Sequence, residues 1–289
     1  MRNQKTSVTA LDAALARKTP LLRVGKALAK LESLRPSGGA DDRGLGAWDA
    51  AGPFAGARAV AVGTMGSALA GAGWARARGV DLHLIVRGPL THEAKKALEI
   101  WAFPVEHVRA AISAQKRAQA LAADRTLLPP LDGAVAIDAV AASLGAELIA
   151  DLDEAAAASP AEATSIRAAS SVLIAPAGSR AALLGCLKAT GGRRPAMRAI
   201  ALVAASREDE LPDLPFEADF DSTVELRKVT RAEAAAARAW LTKTAGLLAA
   251  HASAFAVRLA DELGAVAIVT STGEREFSLD AKAAAQAGT

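Results

Sequence analysis

Short runs of aliphatic residues alternate with longer Ala-rich stretches through the first half of the chain. The runs at residues 58–62, 81–86 and 104–108 predict strands, because they are short, contain Val, Ile or Leu, and are bounded by Gly, Pro or polar residues. The stretch after each run has helical spacing, and Thr91 is placed to cap the helix that reaches Trp101. Strands that alternate with helices in this way predict a parallel sheet with helices on both faces.

A second series of the same kind begins after Pro160. Its predicted strands lie at residues 171–175, 197–204, 223–229 and 265–269. A long Ala-rich helical region, at residues 137–157, precedes the series, and an acidic loop at residues 208–221 interrupts it. The break between the two series, near residues 130–160, predicts two lobes of α/β fold.

Composition changes this picture little, but it excludes several classes of protein. With 52% hydrophobic and 22% charged residues, the chain is not expected to be disordered. The net charge is only +3, with Lys and Arg scattered among acidic residues, so we expect no nucleic-acid partner. The longest uncharged run, residues 59–74, is too short and too rich in glycine to cross a membrane. A single cysteine, Cys186, and the lack of a signal-peptide core in the first residues lead us to expect a cytoplasmic protein.

Neither a metal site nor a nucleophile elbow is indicated by the sequence. The histidines, His83, His92, His107 and His251, lack the paired spacing of metal ligands, and Cys186 stands alone. No G-x-S-x-G motif is present. We therefore expect no metal, and the candidate chemistry lies in the turns between strands and helices.

Two strand-to-helix turns have the ingredients of an anion site. The first is Gly63-Thr-Met-Gly-Ser67, and the second is Gly178-Ser-Arg180. Each would offer free backbone N–H groups beside the positive end of a helix. Neither turn matches a dinucleotide-binding or Walker A motif, so a glycine that only allows a tight turn explains them equally well.

A third glycine-containing stretch lies nearer the N-terminus, at residues 34–44. It contains two adjacent glycines, Gly38 and Gly39, and two adjacent carboxylates, Asp41 and Asp42. Carboxylates suit the first turn of a helix because of the helix dipole, and this is the default interpretation of the stretch.

The three stretches occur in the order used by one known family. The sequence resembles the fold-type II pyridoxal-phosphate enzymes, the superfamily of cysteine synthase, threonine synthase, threonine dehydratase and the tryptophan synthase β-subunit. Residues 30–38 are similar to its K-L-E-x-x-x-P-T-G motif, and residues 39–44 to S-F-K-D-R-G. Residues 61–70 are similar to S-S-G-N-x-G-x-A-L-A, and residues 176–185 to the phosphate loop P-x-G-x-G-G-T-x-x-G. The resemblance covers about residues 18–275.

The resemblance implies a two-lobed, three-layer α/β fold like that of the tryptophan synthase β-subunit. It implies a smaller lobe at residues 45–145, a larger lobe at residues 1–44 and 146–289, and a homodimer. It also implies where a cofactor would have bound. The candidate cofactor-binding residues are Gly63, Thr64, Gly66, Gly178, Ser179, Arg180 and Thr272, and the candidate ligand-pocket residues are Ser37, Gly38, Gly39 and Asp41.

Three positions depart from the family's pattern. Asp41 replaces the lysine that forms the Schiff base, and a carboxylate cannot form an imine. Thr64 replaces the asparagine that contacts the cofactor's phenolic oxygen. Arg180-Ala-Ala182 replaces the Gly-Gly-Thr of the phosphate loop, where backbone N–H groups must approach a phosphate closely. Thr272 keeps a hydroxyl group for the ring nitrogen.

These departures lead us to expect a non-catalytic relative, with no catalytic residue and no cofactor, that binds a protein partner or a small metabolite. Arg180 is expected to plug the former site through an ion pair with Asp41 or Asp42, in preference to binding an anion. The alternative is an active β-elimination or β-replacement lyase or synthase of amino acids with an atypical pyridoxal-phosphate site. In that alternative Asp41 would act as a general base. An open, polar cleft between the lobes would favour the alternative, and a filled cleft would favour the non-catalytic relative.

Overall fold

The described residues form a six-stranded sheet and a four-stranded sheet. A computed structural model describes residues 13–271, apart from 53–55, 89, 109–110, 192–196 and 212. The strands are β1 (Leu21–Val24), β2 (Ala27–Lys30), β3 (Arg58–Gly63), β4 (Asp81–Arg87), β5 (Val105–Val108), β6 (Thr126–Leu127), β7 (Val172–Pro176), β8 (Arg198–Ala204), β9 (Val224–Val229) and β10 (Val266–Ile268). The α-helices are α1 (Leu45–Ala50), α2 (Met65–Arg78), α3 (His92–Ile100), α4 (Ala111–Leu121), α5 (Ala134–Val140), α6 (Ala146–Ala158), α7 (Ala163–Ala169), α8 (Arg180–Thr190), α9 (Arg231–Ala245) and α10 (His251–Leu263).

Both sheets are built on parallel pairing. The larger sheet has the order β1-β2-β10-β7-β8-β9, in which only the β1–β2 pair is antiparallel. The smaller sheet has the order β5-β4-β3-β6 and is parallel throughout. Parallel sheets need crossover helices, and these cover their faces.

Apolar side chains alternate between the two faces of each sheet. In the larger sheet, Ile174 packs with α9 and α10 on one face, while Leu173 packs with α5 to α8 on the other. In the smaller sheet, Ala59 belongs to the core under α1 to α3, and Val60 packs against α4. Each sheet is therefore the middle layer of three, as the α/β fold class requires.

The sequence-based prediction of an α/β fold with parallel sheets is confirmed. The helix caps at Thr91 and Thr230 form, and Thr230 makes a reciprocal capping box with Glu233. The strands of the smaller sheet lie at residues 58–127, inside the predicted smaller lobe, whose limits at residues 45 and 145 stay a prediction. No helix in the described part of the chain is long and apolar enough to span a membrane.

The region predicted to be one long helix is interrupted by a π-helical turn at Ala141–Gly145. The turn lies where two backbones approach closely. A Cβ on Gly145 would lie 2.5 Å from the Cβ of Ala189, and one on Gly185 would lie 2.5 Å from Val140. The small residues of this Ala- and Gly-rich chain therefore let α5, the π turn and α8 pack at short range.

A pair of glycines in α2 tests how tightly this core is packed. Ala in place of Gly usually stabilises a helix by about 1 kcal/mol. At Gly71, however, the new Cβ would lie 2.7 Å from the ring of Trp48, which is buried edge-on against Trp74. We expect Gly71→Ala to lower the free energy of unfolding by about 1–3 kcal/mol, because overpacking costs that much.

Gly73→Ala is the matched control, since a Cβ on Gly73 in the same helix has no atom within 4 Å. We expect this variant to be as stable as the wild type or more so. The measurement is urea unfolding followed by circular dichroism, and equal effects of the two substitutions would contradict the packing argument.

Candidate functional site

A cleft of about 460 Å³ opens at the carboxyl ends of strands from both sheets. Thr64 follows β3, Arg87 ends β4, and Gly178 follows β7. The far wall comes from the acidic loop after β8, which contributes Glu217 and Phe220 among others. Open α/β sheets bind ligands at this end of their strands. The cleft contains three of the predicted cofactor-binding residues, Thr64, Gly178 and Arg180.

Arg180, at the start of α8, lies on the wall of the cleft but does not fill it. Its Nη1 donates to the carbonyl oxygen of Asp132 (2.9 Å), and its Nε donates to that of Asp219 (3.1 Å). The guanidinium also lies 5.9 Å from the centroid of the Phe220 ring. The predicted ion pair of Arg180 with Asp41 or Asp42 is therefore wrong, because backbone carbonyls near Arg180 provide its acceptors.

Arg87 is a second cation of the cleft, which the sequence analysis did not single out. Its Nη2 forms an ion pair with the carboxylate of Asp132. The side chain of Asp132 thus binds Arg87, which lies on the smaller sheet. The backbone carbonyl of Asp132 binds Arg180, which lies beside the larger sheet. Arg87 could have been predicted from its position at the end of a predicted strand, because ligand-binding side chains gather at strand ends in open α/β sheets.

Asp41 lies in a 3₁₀ turn, Ala40–Gly44, beside the start of α2. Its Oδ1 accepts a hydrogen bond from the Ser67 hydroxyl (2.8 Å), and a Cβ on Gly66 would lie 2.3 Å from its Oδ2. A Cβ on Gly63 would likewise lie 2.5 Å from that of Ser67. Gly63 is therefore required by its contact with Ser67, and a side chain at Gly66 would displace the carboxylate of Asp41. The carboxylate suits its position because the N-terminus of a helix carries a partial positive charge.

The backbone at the position of the phosphate loop is occupied by the chain itself. The N–H of Gly178 donates to the carbonyl oxygen of Asp213 (3.2 Å), and a Cβ on Gly178 would lie 3.0 Å from the same residue. Asp41, Ser179 and Arg180 line a separate space of only about 10 Å³ beside it. Such a space is about the size of one water molecule, so it cannot hold a phosphate group.

The remaining predicted pocket residues pack against the end of the larger sheet. Gly38 has a positive φ of 74°, which favours glycine. Gly39 pairs with Ser271 in an isolated bridge, and a Cβ on it would lie 3.0 Å from the carbonyl oxygen of Thr270. The N–H of Ser37 donates to Asp42 (2.8 Å). These three residues do not line the described cleft, and Thr272 lies outside the described residues.

A buried network of charges holds the turn that carries Asp41. The fully buried Lys30 donates to Glu147 (2.6 Å), to Asp151 and to the carbonyl oxygen of Thr19 (2.7 Å). Arg43 forms ion pairs with Glu32 (2.8 Å) and with the second oxygen of Glu147 (2.9 Å). Lys30 is therefore fully committed to structural contacts and is not available to form a Schiff base.

The network changes the titration of its central carboxylate. Burial acts to raise the pKa of Glu147, but hydrogen bonds from Arg43 and Lys30 outweigh burial and lower this pKa to about 2. Hydrogen bonds and charge interactions with Glu32 and Glu147 raise the pKa of Arg43, against the effect of burial. Both groups are thus charged over the whole neutral range.

Several solved enzymes share this fold. O-ureido-L-serine synthase superposes with a TM-score of 0.74 and 17% identity, covering 93% of this chain and 92% of that one. Its lysine-to-alanine variant with O-ureido-L-serine bound gives the same values, with 91% of that chain covered. An O-acetylserine-dependent cystathionine β-synthase from Helicobacter pylori has a TM-score of 0.74 and 19% identity, over 93% of this chain and 96% of that one. A hydrogen sulfide-producing enzyme from Fusobacterium nucleatum has a TM-score of 0.72 and 12% identity, over 92% and 98%.

The fold is that of the fold-type II pyridoxal-phosphate enzymes. No family model and no curated protein matches the sequence. The structural similarity therefore shows the fold alone.

Two expectations from the sequence are contradicted by these findings. The predicted non-catalytic function is wrong, because the structural neighbours are synthases and a hydrogen sulfide-producing enzyme. The expected lack of a cofactor is also wrong, because the fold is that of pyridoxal-phosphate enzymes. The physical reason lies in the cleft, which is open, with a volume of about 460 Å³, and has both charged and apolar side chains on its wall, where a plug by Arg180 was expected. Both findings favour the alternative, an amino-acid lyase or synthase.

The buried network predicts a specific dependence of stability on pH. Because Glu147 has a lower pKa in the folded than in the unfolded protein, the stability it contributes is present above about pH 4.5 and is lost as the pH falls toward about 2. We expect Glu147→Gln to lower the free energy of unfolding at neutral pH by about 3–5 kcal/mol, the usual cost of breaking a buried ion pair.

The measurement is urea unfolding between neutral and acidic pH. The wild type should lose more stability between pH 4.5 and 2 than Glu147→Gln does. Glu225→Gln removes the partner of an exposed ion pair with Arg198 and should change stability little. Parallel pH profiles for the wild type and Glu147→Gln would contradict the assigned pKa.

Proposed function

We propose that the protein catalyses β-elimination or β-replacement on an amino acid, with pyridoxal phosphate in an atypical site. The observation that carries the proposal is the open cleft at the carboxyl ends of both sheets, lined by Arg87 and Arg180. The neighbours suggest the substrate class, because O-ureido-L-serine and O-acetylserine are both O-substituted serines. We therefore propose an O-substituted serine, or an amino acid of similar size, as the substrate.

The cleft fits pyridoxal phosphate as a reversibly bound ligand. Its volume of about 460 Å³ is within the usual range for small-molecule sites. The guanidinium groups of Arg87 and Arg180 match the geometry of a phosphate group, and can replace a backbone cradle that is closed at Gly178. A covalent anchor does not fit, because Asp41 stands where the family has its lysine.

One neighbour supports ligand binding in the absence of a lysine. A lysine-to-alanine variant of O-ureido-L-serine synthase was solved with O-ureido-L-serine bound. A chain of this fold can therefore hold an O-substituted serine after losing a lysine side chain. By analogy, Asp41 in this chain is compatible with the binding of an amino acid.

The chemistry divides between the cofactor and the protein. When bound, pyridoxal phosphate supplies an electron sink for negative charge at the substrate's α-carbon. Arg87 and Arg180 bind and orient the anionic groups of the ligands. Asp41 holds the proton removed from the α-carbon, at Oδ2, while the Ser67 hydroxyl fixes Oδ1. Arg180 lines both the cleft and the small space beside it, whereas Asp41 lines only the small space.

The first test measures the role of Arg180. With added pyridoxal phosphate, we expect the wild type to release pyruvate from O-acetyl-L-serine and to show a bound chromophore that borohydride does not fix to the protein. Arg180→Ala should weaken binding of pyridoxal phosphate about tenfold or more, since a hydrogen bond to a charged group contributes about 1.5–3 kcal/mol. Arg198→Ala, which removes an exposed arginine outside the cleft, is the control. Absence of both binding and turnover in the wild type would refute the proposed function.

The second test concerns Asp41. Asp41→Asn keeps an acceptor for Ser67 but removes the base, so we expect kcat to fall about 10²–10⁴-fold, with binding of pyridoxal phosphate unchanged. In contrast, Asp41→Lys should create a chromophore that borohydride fixes to the protein. An unchanged kcat in Asp41→Asn would exclude this residue as the base.

A further inference from the structure

The far wall of the cleft contains a short segment without helix or strand, residues 216–220, which we call the strap. Four of its five residues line the cleft. Among the described residues, no backbone–backbone hydrogen bond joins the strap to the rest of the chain. Its ends are fixed, because the carbonyl oxygen of Pro215 accepts from the N–H of Ala204 (3.0 Å) and that of Asp221 accepts from the N–H of Val224 (3.2 Å). Between these two points, side chains decide where the strap lies.

On its outer side the strap is held by Arg207. The guanidinium of Arg207 forms an ion pair with Glu217 (2.6 Å) and lies 5.1 Å from the centroid of the Phe216 ring. The side chains of Arg207 and Glu217 are 72% and 74% exposed, so solvent weakens their ion pair. The outer contact of the strap is therefore weak and can be broken without disturbing the core.

On its inner side the strap is held by Arg180, the cation of the cleft. A guanidinium binds a carboxylate or phosphate through a pair of N–H donors, on Nε and Nη2 or on Nη1 and Nη2. Here Nε of Arg180 donates to the carbonyl oxygen of Asp219 (3.1 Å), and Nη1 donates to that of Asp132 (2.9 Å). Each pair therefore includes a nitrogen that already has an acceptor, and on the Nε side that acceptor belongs to the strap.

The charges of the strap have the same sign as an anionic ligand. Glu217 and Asp219 lie on the strap, and Asp221 lies at its end. Hydrogen bonds from Thr223 lower the pKa of Asp221, and the positive charge of Arg180 lowers it further. The carboxylates near the strap and an anion in the cleft thus repel each other while both are attracted to Arg180.

We propose that the strap is an autoinhibitory element that holds Arg180 until an oxyanion, such as a phosphate group, takes the guanidinium and releases the strap. This inference rests on the proposed function only for the role of Arg180 in binding anions. Because binding requires the strap to leave Arg180, the apparent affinity for an anion falls with the fraction of molecules whose strap is closed. Loosening the outer contact of the strap therefore strengthens anion binding.

The test is calorimetric titration of the full chain with inorganic phosphate, in chloride buffer of constant ionic strength. Arg207→Ala removes the ion pair with Glu217 and the contact with Phe216 but leaves Arg180 in place. We expect this variant to bind phosphate about threefold or more tightly than the wild type, from the loss of two exposed contacts. The direction is diagnostic, because the loss of a positive charge by itself weakens the binding of an anion.

Arg198→Ala is the matched control, since it removes an exposed arginine and its ion pair with Glu225 (3.5 Å), away from the strap. We expect its affinity for phosphate to equal that of the wild type. A second measurement is the rate at which a glutamate-specific protease cuts after Glu217. Phosphate should speed this cleavage in the wild type, and Arg207→Ala should be cut faster without phosphate. A synthetic peptide substrate corrects for any effect of phosphate on the protease.

The proposal is overturned if Arg207→Ala binds phosphate no more tightly than the wild type, if neither protein binds it, or if phosphate slows cleavage after Glu217. None of these measurements uses pyridoxal phosphate or turnover. Turnover of O-acetyl-L-serine with equal phosphate affinity in Arg207→Ala and the wild type would therefore support the proposed function and overturn the strap. Tighter phosphate binding by Arg207→Ala in a protein without turnover would support the strap and refute the proposed function.

Discussion

The buried network of Lys30, Arg43, Glu32 and Glu147 is the interaction on which the arrangement of the site depends. It joins the end of β2, the turn that carries Asp41, and the first turn of α6, three segments that are far apart in sequence. Replacing such a network by apolar residues often costs nothing, whereas removing one member leaves a buried charge unpaired. The network therefore fixes one relative position of these segments more than it adds to overall stability, and that position places the carboxylate of Asp41 against α2.

The site keeps the fold and an open cleft but departs from the family's pattern at the predicted cofactor contacts. The fold is shared with solved enzymes, and the cleft lies at the strand ends with two arginines on its wall. The resemblance predicts Asp41 at the position of the lysine anchor, and the backbone N–H of Gly178 is occupied by the carbonyl oxygen of Asp213. Under the proposed function, a cofactor without a covalent anchor would exchange with solution, so the activity would follow the concentration of free pyridoxal phosphate.

Much of the fold follows from local sequence pattern. The predicted strands at residues 58–62 and 197–204 correspond closely to β3 and β8, because apolar runs between turn residues suffice to define a buried parallel strand. The strands β1 and β2 were not predicted, since Leu21–Val24 and Ala27–Lys30 are four residues long and contain a single β-branched residue between them. Their pairing is decided by the tertiary packing of β10 against β2.

The candidate site was less accessible to prediction, for two physical reasons. Arg180 binds backbone carbonyls, and a carbonyl group has no signature in the sequence. Lys30 and Glu147 are separated by more than a hundred residues, so no local pattern pairs them. The role that the resemblance assigns to the position of Asp41 stays a prediction. Whether a cleft is open or filled depends on where a long side chain finds its acceptors, and only the folded structure decides that.

Asp132 connects the two sides of the cleft. Its carboxylate binds Arg87 on the smaller sheet and its carbonyl oxygen binds Arg180 beside the larger one, so a single residue links the two halves of the cleft. A ligand that draws either arginine away must break part of this link. By thermodynamic reciprocity, any change that separates the two halves of the cleft also alters the affinity of the cleft for that ligand. The width of the cleft and the binding of the ligand are therefore coupled.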